Sequence, residues 1–89
     1  MQKQARTGSW EHRLARVRDE WERKNRRPQW VRLHEAGDPD SRHRLSVTHA
    51  HLKRSARGDG PLRLPPGRWE FELLWNNEKS ALFARFMGD

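Results

Sequence analysis

The residues best suited to chemistry lie in the stretch THAHLKRSARGDG, residues 48 to 60. On a β-strand, side chains at i and i+2 point the same way, so the imidazoles of His49 and His51 would reach one ion or one substrate. A metal site needs three or four ligands, and the spacing selects no third ligand. Candidates for it are His34, Glu35 and Asp38. The sequence therefore predicts no metal site and no cofactor.

The same stretch belongs to a longer segment that suits phosphate binding. Residues 42 to 57 carry five basic side chains and no acidic one. Most are arginines, which make bidentate contacts with phosphate, and the ring of Trp30 is one on which a base could stack. The predicted nucleic-acid-binding residues are Arg26, Arg27, Trp30, Arg42, Arg44, Lys53, Arg54, Arg57 and Arg63.

The net charge of +7 is unevenly distributed, since residues 1 to 67 carry +8 and residues 68 to 89 carry −1. A basic excess favours nucleic acid or an acidic protein surface as partner. The chain has no cysteine, which fits a reducing compartment. It also has no apolar run of about 18–20 residues and no apolar stretch typical of a signal peptide near its first residue. We expect a cytoplasmic protein that does not enter a membrane.

The elements that would position these residues begin with one helix. Residues 1 to 8 are predicted to be a polar tail, and residues 9 to 89 a single small domain. Ser9 can cap a helix that continues to about Arg27 and is stopped by Pro28. An apolar stripe on this helix consists of Trp10, Leu14, Val17 and Trp21. Such a stripe packs on a sheet or forms the seam of a homodimer.

The middle of the chain is harder to assign. Residues 29 to 33 are a short strand candidate, and residues 34 to 41 are rich in turn formers. Residues 43 to 52 alternate, and Val47 favours a strand there, although a helix over residues 46 to 57 is the rival interpretation. The rest, to residue 67, is predicted to be a connection.

The final segments, RWEFELLW and SALFARFM, flank the loop NNEK and predict a hairpin. A four-residue loop sets a register that places apolar side chains opposite one another on one face. The opposed residues are Trp69 and Phe86, Phe71 and Ala84, Leu73 and Leu82, and Trp75 and Ser80. On the other face, Glu70 is opposite Arg85 and Leu74 is opposite Ala81. A helix over residues 77 to 87 is the alternative.

These elements predict an α+β fold in which one N-terminal amphipathic helix packs on a small antiparallel sheet that ends in a C-terminal hairpin. In this fold we expect Trp69 and Trp75 on the core face of the hairpin, covered by Trp10 and Trp21.

A family resemblance covers part of this region. The segment GRWEFE, residues 67 to 72, followed by the strand ALFARF, resembles the late part of RelE/HigB-type toxins. Those toxins are ribosome-linked RNases with a small α+β fold, so the resemblance implies an RNA-cleaving activity. No catalytic residue carries over by motif. Side chains of the types that such cleavage uses are present in His49, His51, Arg54, Arg57 and Glu70.

The sequence favours a small basic module that binds nucleic acid or a ribonucleoprotein over an enzyme. The first alternative is a protein-interaction or assembly component, such as a phage or mobile-element protein that docks on an acidic partner. It is motivated by five tryptophans, which are more than a core of this size needs. The second alternative is the RelE/HigB-like RNase.

Overall fold

A computed structural model describes residues 9 to 36, 39 to 75 and 80 to 89. It has the predicted α+β architecture, with an N-terminal helix and a C-terminal hairpin. The elements are α1 (Ser9–Arg23), β1 (Val31–Ala36), α2 (Pro39–Ala56), β2 (Arg68–Trp75) and β3 (Ser80–Gly88). The predicted tail, residues 1 to 8, lies outside the described residues. Neither described helix is long and apolar enough to cross a membrane.

Strand β3 lies in the middle of the sheet. The strand order is β1-β3-β2, and β3 is antiparallel to both neighbours. Strands β1 and β2 are therefore parallel to each other with β3 between them. The connection from β1 through α2 to β2 is a split β-α-β unit.

The predicted register of the hairpin is confirmed at every pair. Trp69 is opposite Phe86, Phe71 opposite Ala84, Leu73 opposite Leu82, and Trp75 opposite Ser80. On the other face Glu70 is opposite Arg85 and Leu74 is opposite Ala81. The alternative helix over residues 77 to 87 is wrong, because every second side chain of β3 is buried and the strand continues to Gly88. The connecting residues 76 to 79 lie outside the described part.

Both helices pack on one face of the sheet, which we call the inner face. The core consists of Leu14, Val17, Leu33, Leu45, Leu52, Trp69, Phe71, Leu82, Ala84 and Phe86. Trp69 is buried as expected. The rings of Trp21 and Phe86 pack edge to face, with their centroids 4.8 Å apart. Trp75 is 47% exposed, contrary to expectation. It ends β2, beyond the last buried side chain of that strand.

Helix α1 places its apolar stripe on the inner face, because Leu14 and Val17 are buried and Trp10 packs against the core. The helix ends at Arg23, four residues before the predicted end. Asn25 and Arg26 adopt left-handed backbone conformations, with φ of 63° and 59°. The Arg26 N–H then donates to the Trp21 carbonyl at 2.9 Å. This C-terminal capping pattern ends the helix before Pro28 is reached.

Helix α2 corrects the assignment of the middle segment. The strand predicted over residues 43 to 52 is wrong, and so is most of the loop predicted over residues 34 to 41. The buried side chains of α2 include Leu45 and Leu52, which are seven residues apart and so lie on one face of a helix. Proline is well tolerated in the first turn, where Pro39 lies, because no partner is lost there. The segment forms a helix because this spacing buries both leucines on one face. The alternation of residues 43 to 52 did not determine its structure.

Residues 57 to 67 connect α2 to β2 along the surface. The Ser55 hydroxyl accepts the Leu62 N–H at 3.0 Å, and the Glu11 carboxylate accepts the Arg63 N–H at 2.9 Å. The Trp69 indole N–H donates to the Pro65 carbonyl at 3.0 Å. These bonds attach the connection to both helices and to β2.

The helical assignment of α2 makes a direct prediction for stability. Leu52→Ala should lower the free energy of unfolding by about 2–5 kcal/mol, because it leaves a cavity in the core. Val47→Ala, at a site that is 41% exposed, should change it by no more than about 0.5 kcal/mol. Denaturant unfolding followed by circular dichroism measures both changes. Equal losses for the two variants would contradict the burial pattern of a helix.

Candidate functional site

The outer face of the sheet carries the candidate site, since neither described helix packs on it. Pairing between β1 and β3 places Val31 opposite Ala84 and Arg32 opposite Phe83. Trp30 precedes Val31, so the same register puts it beside Arg85. Two rows of side chains therefore cross the outer face. The first row is Trp30, Arg85 and Glu70, and the second is Arg32, Phe83 and Glu72.

In the first row, Arg85 joins an aromatic ring to a carboxylate. Its guanidinium carbon lies 4.4 Å from the centroid of the Trp30 ring. Its Nη2 donates to Glu70 Oε1 at 2.6 Å. An ion pair and a cation–π contact thus hold one guanidinium from two sides. Trp30 is nevertheless 42% exposed, so part of its ring stays open to a ligand.

The second row repeats the arrangement more loosely. The Arg32 guanidinium carbon lies 6.0 Å from the centroid of the half-buried Phe83 ring. Glu72 occupies the place that Glu70 has in the first row, and it is exposed. Within the described part of the chain, Glu72 makes no ion pair.

A cleft of about 550 Å³ runs from this face around β2 to the end of α2. Its cations are Lys53, Arg57, Arg68 and Arg85, and its carboxylates are Glu70 and Glu72. Since Glu70 is paired with Arg85, the remaining cations outnumber the remaining carboxylate. Trp30 lies on the wall of this cleft. Three of the predicted binding residues, Trp30, Lys53 and Arg57, are therefore brought together.

A second cleft, of about 480 Å³, lies on the other side of Trp30, between α1 and β1. It contains three cations, Arg13, Arg16 and Arg32, and one carboxylate, that of Glu20. The Glu20 carboxylate is paired with Arg23 at 2.7 Å. Basic side chains thus flank the exposed ring of Trp30 on both sides.

Contacts between α2 and β2 show how the cations of α2 reach the first cleft. The guanidinium carbon of Arg42 lies 5.9 Å from the centroid of the Trp75 ring, near the end of β2. Further along the helix, His49 contacts the Phe71 carbonyl. Lys53 then lines the cleft beside Trp69, near the start of β2. Helix α2 therefore runs antiparallel to β2. One flank of the helix follows this edge strand and delivers Lys53 and Arg57 to the cleft.

The two histidines do not form the pair that the strand interpretation predicts. On a helix, His49 and His51 are about 200° apart around the axis, so they cannot share one ion. His49 Nε2 lies 3.3 Å from the Phe71 carbonyl oxygen. A carbonyl only accepts, so Nε2 carries the proton in this contact. Among the described residues, no group of three His, Asp or Glu side chains lies close enough to hold a metal ion.

The other six predicted binding residues lie outside the first cleft. Arg26 Nε lies 3.4 Å from Glu22 Oε1, and the guanidinium carbon of Arg26 lies 6.0 Å from the centroid of the Trp21 ring. Arg27 lines a small crevice beside Trp21 and Phe86. The remaining four are exposed, Arg42, Arg44 and Arg54 on α2 and Arg63 on the connection. Arg44 is about 180° from Lys53 around the helix. Nucleic-acid contact by these six stays a prediction.

Sequence reasoning missed several residues that line the two clefts. They are Arg13, Arg16, Arg32, Arg68, Glu72 and Arg85. The hairpin register already placed Glu70 and Arg85 on the outer face. The missing information was the strand order, because pairing of β1 with β3 is what puts Trp30 beside Arg85.

Comparison of the chain with known protein families, curated sequences and solved structures finds no match. The resemblance to RelE/HigB-type toxins stays a prediction.

The Glu70–Arg85 pair should be measurable as a coupling. Side chains of the pair are 47% and 30% exposed, so a double-mutant cycle with Glu70→Gln and Arg85→Gln should give about 0.2–1 kcal/mol. The coupling should fall as salt is added, because exposed charges are screened. Denaturant unfolding of the four proteins measures it. A coupling of zero at low salt would show that Glu70 does not hold Arg85 over Trp30.

Proposed function

We propose that this protein is a cytoplasmic nucleic-acid-binding module that holds phosphates with its basic clefts and contacts bases with Trp30. The observation that carries the proposal is the position of Trp30. Its ring is exposed and forms part of the wall of both basic clefts. A backbone phosphate on either side of the ring would meet a guanidinium or an ammonium group. Cationic grooves with an exposed ring are typical of proteins that bind nucleic acids.

The charge distribution supports the same proposal. Arginine provides most of the cations of both clefts, and its planar guanidinium suits bidentate phosphate contact. Ion pairs occupy two of the three carboxylates in the clefts, Glu20 and Glu70. Arg85 is held by Glu70, and Arg32 also has a partner of its own. The clefts still contain five other cations beside the carboxylate of Glu72, namely Arg13, Arg16, Lys53, Arg57 and Arg68.

A protein-docking function is the second candidate. The observation that favours it is the exposure of large apolar side chains, with Leu74 at 51% and Trp75 at 47%. Exposed tryptophans are common at the centres of protein interfaces. The predicted homodimer through the α1 stripe has less support, because the chain's own sheet already covers Leu14 and Val17.

The proposal is tested by binding to labelled RNA and DNA over a series of salt concentrations. Phosphate contact predicts that the logarithm of the association constant falls linearly with the logarithm of salt. Lys53→Ala and Arg57→Ala should each reduce the steepness of that line by about one unit. Lys24→Ala, at a lysine that lies outside both clefts, is the matched control and should change it less.

Two results would contradict the proposal. One is no binding to RNA or DNA at low salt, and the other is an equal effect of Lys24→Ala and Lys53→Ala. RNA recovered from the binding reaction should also be intact. Cleavage that stops in a His51→Ala variant would favour the RNase alternative instead.

A further inference from the structure

The side of helix α2 that points away from the sheet is a surface of its own, distinct from the outer face of the sheet. Seven exposed side chains lie within about 120° of one another around the helix axis, and they are on the side away from the buried Leu45 and Leu52. We call this surface the α2 face, and its residues are His43, Ser46, Val47, Ala50, Lys53, Arg54 and Arg57.

The positive charge of the α2 face has no counter-charge within the fold. The chain has no acidic residue between residues 42 and 57. Within the described part of the chain, Lys53, Arg54 and Arg57 make no ion pair. Asp59, the next acidic residue along the sequence, makes none with them either. Three such cations within five residues attract a polyanion.

The part of the α2 face that precedes these cations is made largely of short side chains. Ser46, Val47 and Ala50 are all exposed, and Val47 is 41% exposed although it is apolar. Short side chains let the backbone of a helix come close to a partner. The longer cationic side chains, one turn further along, can then reach groups beside the helix.

The shape of the α2 face restricts the kind of partner. The exposed side of a helix is convex, so a matching partner must be concave as well as anionic. An α-helix with its side chains is about 10–12 Å across, and the major groove of B-form DNA is about 12 Å wide. Phosphates line both edges of this groove. Its floor presents base edges and thymine methyl groups, which serine, valine and alanine can contact.

The same comparison disfavours RNA at this surface. The major groove of double-helical RNA is deep and narrow, so side chains on a helix do not reach its bases. A single strand has no groove to receive the helix. Shape and charge together therefore favour duplex DNA.

We infer that helix α2 places its exposed face in the major groove of duplex DNA. Ser46, Val47 and Ala50 face the base edges, and Lys53, Arg54 and Arg57 contact backbone phosphates. The inference goes beyond the proposed function, because it assigns a further surface and a further ligand. Lys53 and Arg57 belong to both surfaces, whereas Ala50 and Arg54 line neither of the two basic clefts.

The use of the α2 face is tested by fluorescence anisotropy with labelled duplex DNA. Ala50→Glu puts a carboxylate in the middle of the face and should weaken binding about tenfold or more, because it repels the phosphates. Asn25→Asp is the matched control, since it changes the net charge equally at an exposed residue outside α2 and both clefts. It should weaken binding no more than about twofold. Circular dichroism verifies that both variants fold.

Arg54 is tested through the salt dependence of binding to the same duplex. Arg54→Ala should reduce the slope of the logarithm of the association constant against the logarithm of salt by about one unit. Lys24→Ala, outside α2, should change this slope less. Single-strand binding should stay the same in Arg54→Ala, because Arg54 lines neither cleft.

The choice of groove is tested by changing the nucleic acid. Duplex DNA should bind more tightly than duplex RNA of the same sequence. A DNA duplex with bulky groups on C5 of its pyrimidines should bind more weakly than the unmodified duplex, because these groups project into the major groove.

The outcomes separate the inference from the proposed function. Equal losses for Ala50→Glu and Asn25→Asp, or duplex RNA bound as tightly as duplex DNA, overturn the inference. Binding of single strands without binding of duplex DNA also overturns it and leaves the proposed function intact. Duplex binding that is lost in Ala50→Glu but unaffected by Trp30→Ala and Arg68→Ala supports the inference, and it counts against the two clefts as the site of that binding.

Discussion

Alternation of side chains along β3 is the constraint on which the rest of the structure depends. This strand is paired on both sides, so one set of its side chains must face the helices and the other must face outward. Leu82, Ala84 and Phe86 form the centre of the core, while Phe83 and Arg85 lie on the outer face. A shift of one residue would exchange the two sets and would destroy the core and the candidate site together.

The same constraint explains why the hairpin could be predicted from sequence and α2 could not. In the hairpin, only one register matched apolar residues with each other and Glu70 with Arg85. Residues 43 to 52 offered no partner strand for such a test, and their alternation rested largely on histidines, which tolerate several environments. The buried pair Leu45 and Leu52 was a helical signal, but it becomes decisive only when a sheet is present to cover it.

The candidate site was predictable in composition but not in geometry. Trp30, Lys53 and Arg57 were selected for their side-chain chemistry, and they do line one cleft. What could not be read from the sequence was the crossover that returns the chain to pair β3 with β1. That pairing brings Arg85 over Trp30 and creates a face on which cations and rings alternate. The helical form of α2, which was not predicted either, separates His49 from His51, and His49 contacts the backbone of β2.

The most direct test of this account is a nuclear magnetic resonance titration of the ¹⁵N-labelled protein with a short single-stranded oligonucleotide. The five tryptophans give five indole N–H signals, of which that of Trp69 is bonded to the Pro65 carbonyl inside the fold. We expect the largest shifts at the Trp30 indole and at the backbone amides of Glu72, Phe83 and Arg85. Trp69 should change little. Shifts concentrated on the Trp75 indole and the exposed side of α1, with Trp30 unmoved, would contradict the outer face as the binding surface.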